Sequence, residues 1–195
     1  QATGAWAKDD WNEILNGLSS LKKPRFAFLT VGYRLPQPTM DVASRVLAGT
    51  QYESTTPNAV REHGEEPKFI KVENPARLLG SITALVRSEL DESYSGTLAV
   101  ITPEKFVKPL SESFKASSIE HGLVDDGALT SQVTVVPVDL VKGLEIDIAI
   151  VVEPSEILHN ATNGERSLYV ALTRATRRLL ILHAEQLPEV LQAKE

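Results

Sequence analysis

The segment VKGLEIDIAIVVEP, residues 141–154, decides the architecture of this chain. Its run IAIVV is apolar without alternation, whereas a strand with one wet face alternates apolar and polar residues. An unbroken run of this kind reads as a strand covered on both faces, the pattern of parallel sheets. Working outward, similar runs stand at 98–102 (LAVIT) and 133–138 (VTVVPV), with further short Val-, Ile- and Phe-bearing runs at 26–31, 69–72 and 179–183. Between them, residues 10–21, 40–47, 75–90, 103–114 and 165–175 have helical length or spacing. Pro75 and Pro103 suit the first helical turn, and Asn74 and Thr102 precede them as N-caps. Strand followed by helix, repeated, predicts an α/β fold with helices on both faces of a mostly parallel sheet. The polar stretch 50–67 is expected to be an exposed loop or hairpin, and 117–131 an irregular connection.

Composition narrows the function classes. With 195 residues, 42% hydrophobic and 24% charged, the chain supports one sizeable core. A net charge of −6 argues against a protein that coats nucleic acid, so any such contact is local. Cysteine is absent, which excludes disulfides and thiolate metal sites and fits a reducing, cytoplasmic setting. No stretch approaches the roughly 20 apolar residues of a membrane span, and no signal-peptide pattern opens the chain. His63, His121, His159 and His183 are scattered without ligand spacing, so no metal site is expected. No Ser, Cys or carboxylate pair stands in a nucleophile motif.

Three places can carry chemistry. In Lys142-Gly143-Leu144-Glu145 the glycine marks a tight turn at a strand end, where open parallel sheets bind ligands. Gly143 lets the backbone approach a phosphate, and Glu145 can accept from ribose hydroxyls; a plain solvated turn is the alternative. Arg174 follows the apolar helix bearing Leu168, Val170, Ala171 and Leu172. Its five-donor guanidinium suits the charge that builds up in phosphoryl transfer, although an arginine at a helix end is usually a surface residue interacting with the carbonyl end of its own helix. Arg34, in Tyr33-Arg34-Leu35-Pro36 just past the strand at 26–31, is expected to emerge at the same sheet edge as Lys142.

The order of these segments carries a resemblance. VGYRLPQPTMDVASRVL is similar to motif IV of the UvrD/Rep type of superfamily 1 helicases, VKGLEID to motif V, and ERSLYVALTRATRRL to motif VI; Gln1, opening QATGAWA, resembles the glutamine of motif III. The resemblance implies a segment 1–24 following motif III, and a second RecA-like lobe at 25–195. That lobe has the three-layer P-loop NTPase-type fold without a Walker A loop of its own, since no G-x-x-x-x-G-K-[ST] occurs. Within the family, QATGAW, GYRLP and VVPVDLVKGLEID are most similar to HelD, the helicase-like factor associated with bacterial RNA polymerase.

The resemblance further implies that Arg34 and Arg174 reach the γ-phosphate of ATP, with its Mg²⁺ held mainly by an N-terminal RecA-like lobe. Gly143 and Glu145 would lie near the γ-phosphate and ribose, Gln1 would sense the same phosphate, and Tyr33 would stack by the base. Opening on Gln1, this chain is expected to be a piece of a longer protein and inactive by itself. Two departures favour the HelD type over a DNA-unwinding enzyme. Pro137-Val138-Asp139 replaces the usual Thr-x-His before motif V, and too few residues separate Arg34 from Val141 for the large inserted subdomain of unwinding relatives. Expected partners are therefore the N-terminal lobe together with DNA, RNA polymerase or both. The competing reading is a polymerase-docking module in which ATP is a conformational switch.

Overall fold

A computed structural model describes residues 31–50, 58–90, 95–124, 129, 131–161 and 163–192. The expected helix at 10–21, Gln1, and all but the last residue of the run 26–31 lie outside these residues. The strands are β1 (Val31–Pro36), β2 (Asn58–Arg61), β3 (Lys68–Lys71), β4 (Leu98–Thr102), β5 (Gly122–Leu123), β6 (Val133–Pro137), β7 (Ile146–Val152) and β8 (Ala175–His183). The helices are α1 (Gln37–Leu47), α2 (Leu78–Leu90), α3 (Glu104–Ala116), α4 (Pro154–Asn160) and α5 (Gly164–Leu172). Six strands form one sheet in the order β3-β8-β7-β4-β6-β5, every pair parallel, and β1 and β2 form a separate parallel ribbon.

The unalternating runs are explained by two cores. Along β4, Ala99 and Ile101 face a cluster with Val42 and Val46 of α1 and Leu168 and Leu172 of α5. Leu98 and Val100 face the opposite cluster with Ile82 and Val86 of α2 and Leu110 and Phe114 of α3. β7 is shared in the same way, Val151 going to the first core and Ile150 to the second. Helix, sheet and helix thus make three layers, and each large side chain buried between them contributes about 1.5–3 kcal/mol.

Several boundaries differ from expectation for identifiable reasons. Tyr33 and Arg34 lie within β1 rather than past a strand, because the extended chain runs on to Pro36, which caps α1. Asn74 does cap the short turn Pro75–Arg77, accepting the Ala76 N–H at 2.9 Å. Thr102 does not cap α3: it is still in sheet register with Pro137, Pro103 takes the N-cap position, and the Thr102 hydroxyl is buried without a partner. Within 50–67, residues 58–61 form a parallel strand rather than a hairpin arm, and 117–131 contains β5.

The helix expected at 165–175 ends at Leu172, where the Thr173 hydroxyl donates back to Tyr169 O at 2.9 Å and Val170 O at 3.1 Å. β8 correspondingly begins at Ala175; its first half, ATRR, is too polar to read as a buried strand. The short α4 follows a left-handed Glu153, whose buried carboxylate accepts the Ala184 and Glu185 N–H groups at 2.7 and 3.3 Å. α5 starts so close to the end of α4 that a Cβ on Gly164 would sit 1.9 Å from the Leu158 carbonyl oxygen.

Candidate functional site

The site forms where β7 and β8 begin. Ile146 pairs with Ala175, and the Ile146 N–H donates to Arg174 O at 3.2 Å, so the chain entering each strand lies beside the other. Open parallel sheets usually bind ligands at the carboxyl ends of their strands; the turn containing Gly143 instead sits at the amino end of β7. Gly143 has φ +86°, a conformation a side chain rarely adopts, and this lets the chain turn before Leu144 plugs into the core. Lys142, Gly143 and Glu145 remain exposed around that plug.

Just inside the rim, register slips: β7 advances from Ile146 to Ile148 while β8 advances from Ala175 to Arg178, leaving an extra residue in β8. Bulges of this kind re-aim side chains beside functional sites. Asp147 fills the gap, accepting from the Thr97 N–H at 2.9 Å, the Thr97 hydroxyl at 3.1 Å and the Thr176 hydroxyl at 3.3 Å.

Arg174 is only 4% exposed. Its Nε donates to Val170 O at 3.1 Å, Nη1 to Leu144 O at 3.4 Å and Nη2 to the Thr173 hydroxyl at 3.4 Å. All three acceptors are neutral. Burial pushes this guanidinium below its ordinary pKa and the nearby Arg34 cation adds to the effect, while Tyr169 and Glu145 oppose it. It nevertheless stays charged at neutral pH. A buried cation on neutral acceptors bears a desolvation penalty that no carboxylate of its own offsets.

Arg34 forms an ion pair with Glu145 in which both side chains are largely solvated, at 47% and 62% exposure. Arg34 therefore pairs with Glu145 beside Gly143, and Arg174, whose own bonds go to neutral acceptors, lies close enough to feel both charges. The long bonds of Arg174 Nη1 and Nη2 and the solvated Arg34 pair are the contacts most readily exchanged for an anion's oxygens.

The structure thus brings together Arg34, Gly143, Glu145 and Arg174. Tyr33 stands next to them in β1, 74% exposed. Gln1 is outside the described residues. Reading the sequence missed Arg61, whose Nη1 donates to Arg34 O at 3.1 Å and Thr176 O at 3.0 Å. It also missed the Asp147–Thr97 tie; no motif marks either, since both depend on strands that meet only in space.

The layers and the parallel strand order define a RecA-like α/β domain. Among solved structures it is similar to the C-terminal domain of a possible DNA helicase from Lactobacillus plantarum WCFS1, with a TM-score of 0.64 and 22% identity over 82% of this chain and 92% of that one. At that identity the likeness establishes the fold. Two others align more partially: the UvsW helicase from bacteriophage T4 (TM-score 0.43, 16% identity, 59% of this chain and 46% of that one) and the Sulfolobus solfataricus SWI2/SNF2 ATPase core in complex with dsDNA (0.44, 13%, 62% and 27%). At such scores neither bears on fold or site. No family model matches the chain, and no curated protein does. Among the described residues no helix is long and apolar enough to cross a membrane.

Proposed function

We propose that this chain is the arginine-supplying second lobe, residues 25–195, of a superfamily 1 helicase-like ATPase of the UvrD/Rep type, closest in pattern to HelD. ATP with Mg²⁺ is held mainly by an N-terminal RecA-like lobe, and this lobe closes over it. The observation that supports the reading is the Arg34–Glu145 pair beside Gly143, with the buried Arg174 bonded to Leu144 O of the same turn, on a domain with the fold of a helicase C-terminal domain.

On closure, Arg34 exchanges Glu145 for γ-phosphate oxygens, and Arg174 adds a fixed positive field that needs no solvent rearrangement. Both offset the charge that develops as the bond from γ-phosphorus to the bridging oxygen breaks and water adds. Gly143 admits the phosphates to the backbone, Glu145, once released, is free to accept from the ribose, Tyr33 stacks by the base, and Gln1 senses the same phosphate. Hydrolysis then reopens the cleft and shifts the lobes.

ATP hydrolysis by the native polypeptide that contains this chain tests the reading. Arg174→Ala is expected to lower kcat by about 10³, the scale of a lost arginine finger, with the fold intact by circular dichroism. Wild-type rates in both the Arg174→Ala and Arg34→Ala variants sink it.

A second reading draws on Asp139, which is exposed in the turn Val138–Leu140 ahead of the Gly143 site. An aspartate at that place repels a phosphodiester backbone. This favours a module that docks on RNA polymerase and uses ATP as a conformational switch. Nucleotide-dependent release of polymerase without strand displacement supports it, and DNA-stimulated unwinding supports the helicase.

A further inference from the structure

The geometry points to Arg61 as a positioning residue for Arg34, setting where it stands relative to Arg174. Its guanidinium bridges the main-chain carbonyls of Arg34 and Thr176, which sets the spacing between the strand that carries Arg34 and the strand entered from Arg174. The inference rests on the functional reading above and deepens it.

β1 and β2 form a ribbon apart from the six-stranded sheet, so the position of Arg34 relative to Arg174 is not fixed by a continuous ladder of hydrogen bonds. Among the described residues, side-chain ties to the rim come from the Arg34–Glu145 ion pair and from Arg61, whose Nη1 donates to Arg34 O at 3.1 Å and to Thr176 O at 3.0 Å. Both protons of that nitrogen are thereby committed to main-chain oxygens. When Arg34 leaves Glu145 for a phosphate, the first tie is released and the Arg61 bridge remains. Thr176 is itself anchored, its hydroxyl donating to Ile146 O and to Asp147 at 3.3 Å each, at the bulge where β7 and β8 begin. Arg61 thus ties the solvated arginine of the pair to the bulge at the start of β8.

The test is the kinetics of ATP hydrolysis in the native polypeptide that contains this chain, for Arg34→Ala, Arg61→Ala, Arg61→Lys, Arg61→Gln and the double alanine variant. Misplacing a catalytic group lowers turnover more than binding, so Arg61→Ala is expected to reduce kcat about tenfold with KM for ATP changed by less than about twofold. Arg61→Lys, whose ammonium can also donate to two carbonyls, recovers most of the loss, and Arg61→Gln does not. Because Arg61 acts through Arg34, the double variant is no slower than Arg34→Ala alone; a role elsewhere in the fold makes the losses add. A wild-type kcat in Arg61→Ala, additive losses, or a lysine variant no better than the glutamine one overturns the inference while leaving the site reading standing. If Arg61→Ala does not fold, the lysine and glutamine variants decide. Unchanged kcat in Arg34→Ala overturns the inference too; unchanged kcat in Arg174→Ala as well, or no hydrolysis by the wild type, sinks the site reading itself.

Discussion

Arg34 and Glu145, 111 positions apart in sequence, form an ion pair at the amino end of β7. The pair joins two segments that sequence comparison can only name separately. Its two side chains are solvated, so it orients groups more than it stabilises the fold.

Exposed ion pairs contribute roughly 0–1 kcal/mol. Glu145→Gln is accordingly expected to leave the urea unfolding free energy within about 0.5 kcal/mol of wild type. A loss well above 1 kcal/mol, with the m-value unchanged, shows instead that the pair helps hold the ribbon in place.

Arg174 presents the opposite case. Its charge is buried on neutral acceptors, so an apolar residue of similar length relieves a desolvation penalty of several kcal/mol, set against about 1–3 kcal/mol for a carbonyl such as Leu144 O losing this donor. Arg174→Met is expected to keep or raise the thermal midpoint while abolishing ATP turnover in the native polypeptide. A lowered midpoint marks Arg174 as a structural residue first.

Two glycines are expected to respond differently to alanine. At Gly143 nothing lies within 4 Å of an added Cβ, so only the positive φ of +86° resists, at about 1–2 kcal/mol. At Gly164 the Cβ would meet the Leu158 carbonyl oxygen at 1.9 Å, and α5 must shift off α4, so the loss should be larger, about 3 kcal/mol. Each kcal/mol lowers the midpoint by roughly 2–4 °C in a domain of this size. A reversed ranking refutes the close helix approach.

Arg178 pairs with both Glu65 and Glu89, tying β8 to α2 and to the segment before β3. The hydrogen bond from Arg178 is the largest effect on Glu65 and holds its carboxyl below the usual 4.5, although burial opposes it. The depressed folded value means that this stabilisation is present above about pH 4.5 and is lost as pH falls through the folded pKa. Glu65 is 40% exposed, so the effect is small. Acid titration by NMR should place Glu65 below a free glutamate, and Arg178→Met should return it to the ordinary range.

Much of this was legible in the linear chain because burial leaves a composition signature. IAIVV and LAVIT mark strands packed on both faces, and the alternation with helical segments then leaves a parallel sheet as the consistent solution. The turn at Gly143 was legible because glycine between two apolar runs signals a backbone no side chain permits. β2 and the first half of β8 were not, because NAVR and ATRR are polar, rim-lying segments held by partners that appear nowhere near them in sequence.

Local residue chemistry by itself therefore determined the layer architecture and the turn, and motif resemblance singled out the two arginines. Which of those arginines is buried, which is solvated and paired with Glu145, and that Arg61 bridges the Arg34 and Thr176 carbonyls was decided only by the tertiary structure. The physical reason is range: apolar burial is recorded residue by residue in the pattern of the chain, whereas a guanidinium's few directed hydrogen bonds take their meaning from which distant carbonyls and carboxylates folding brings within about 3 Å.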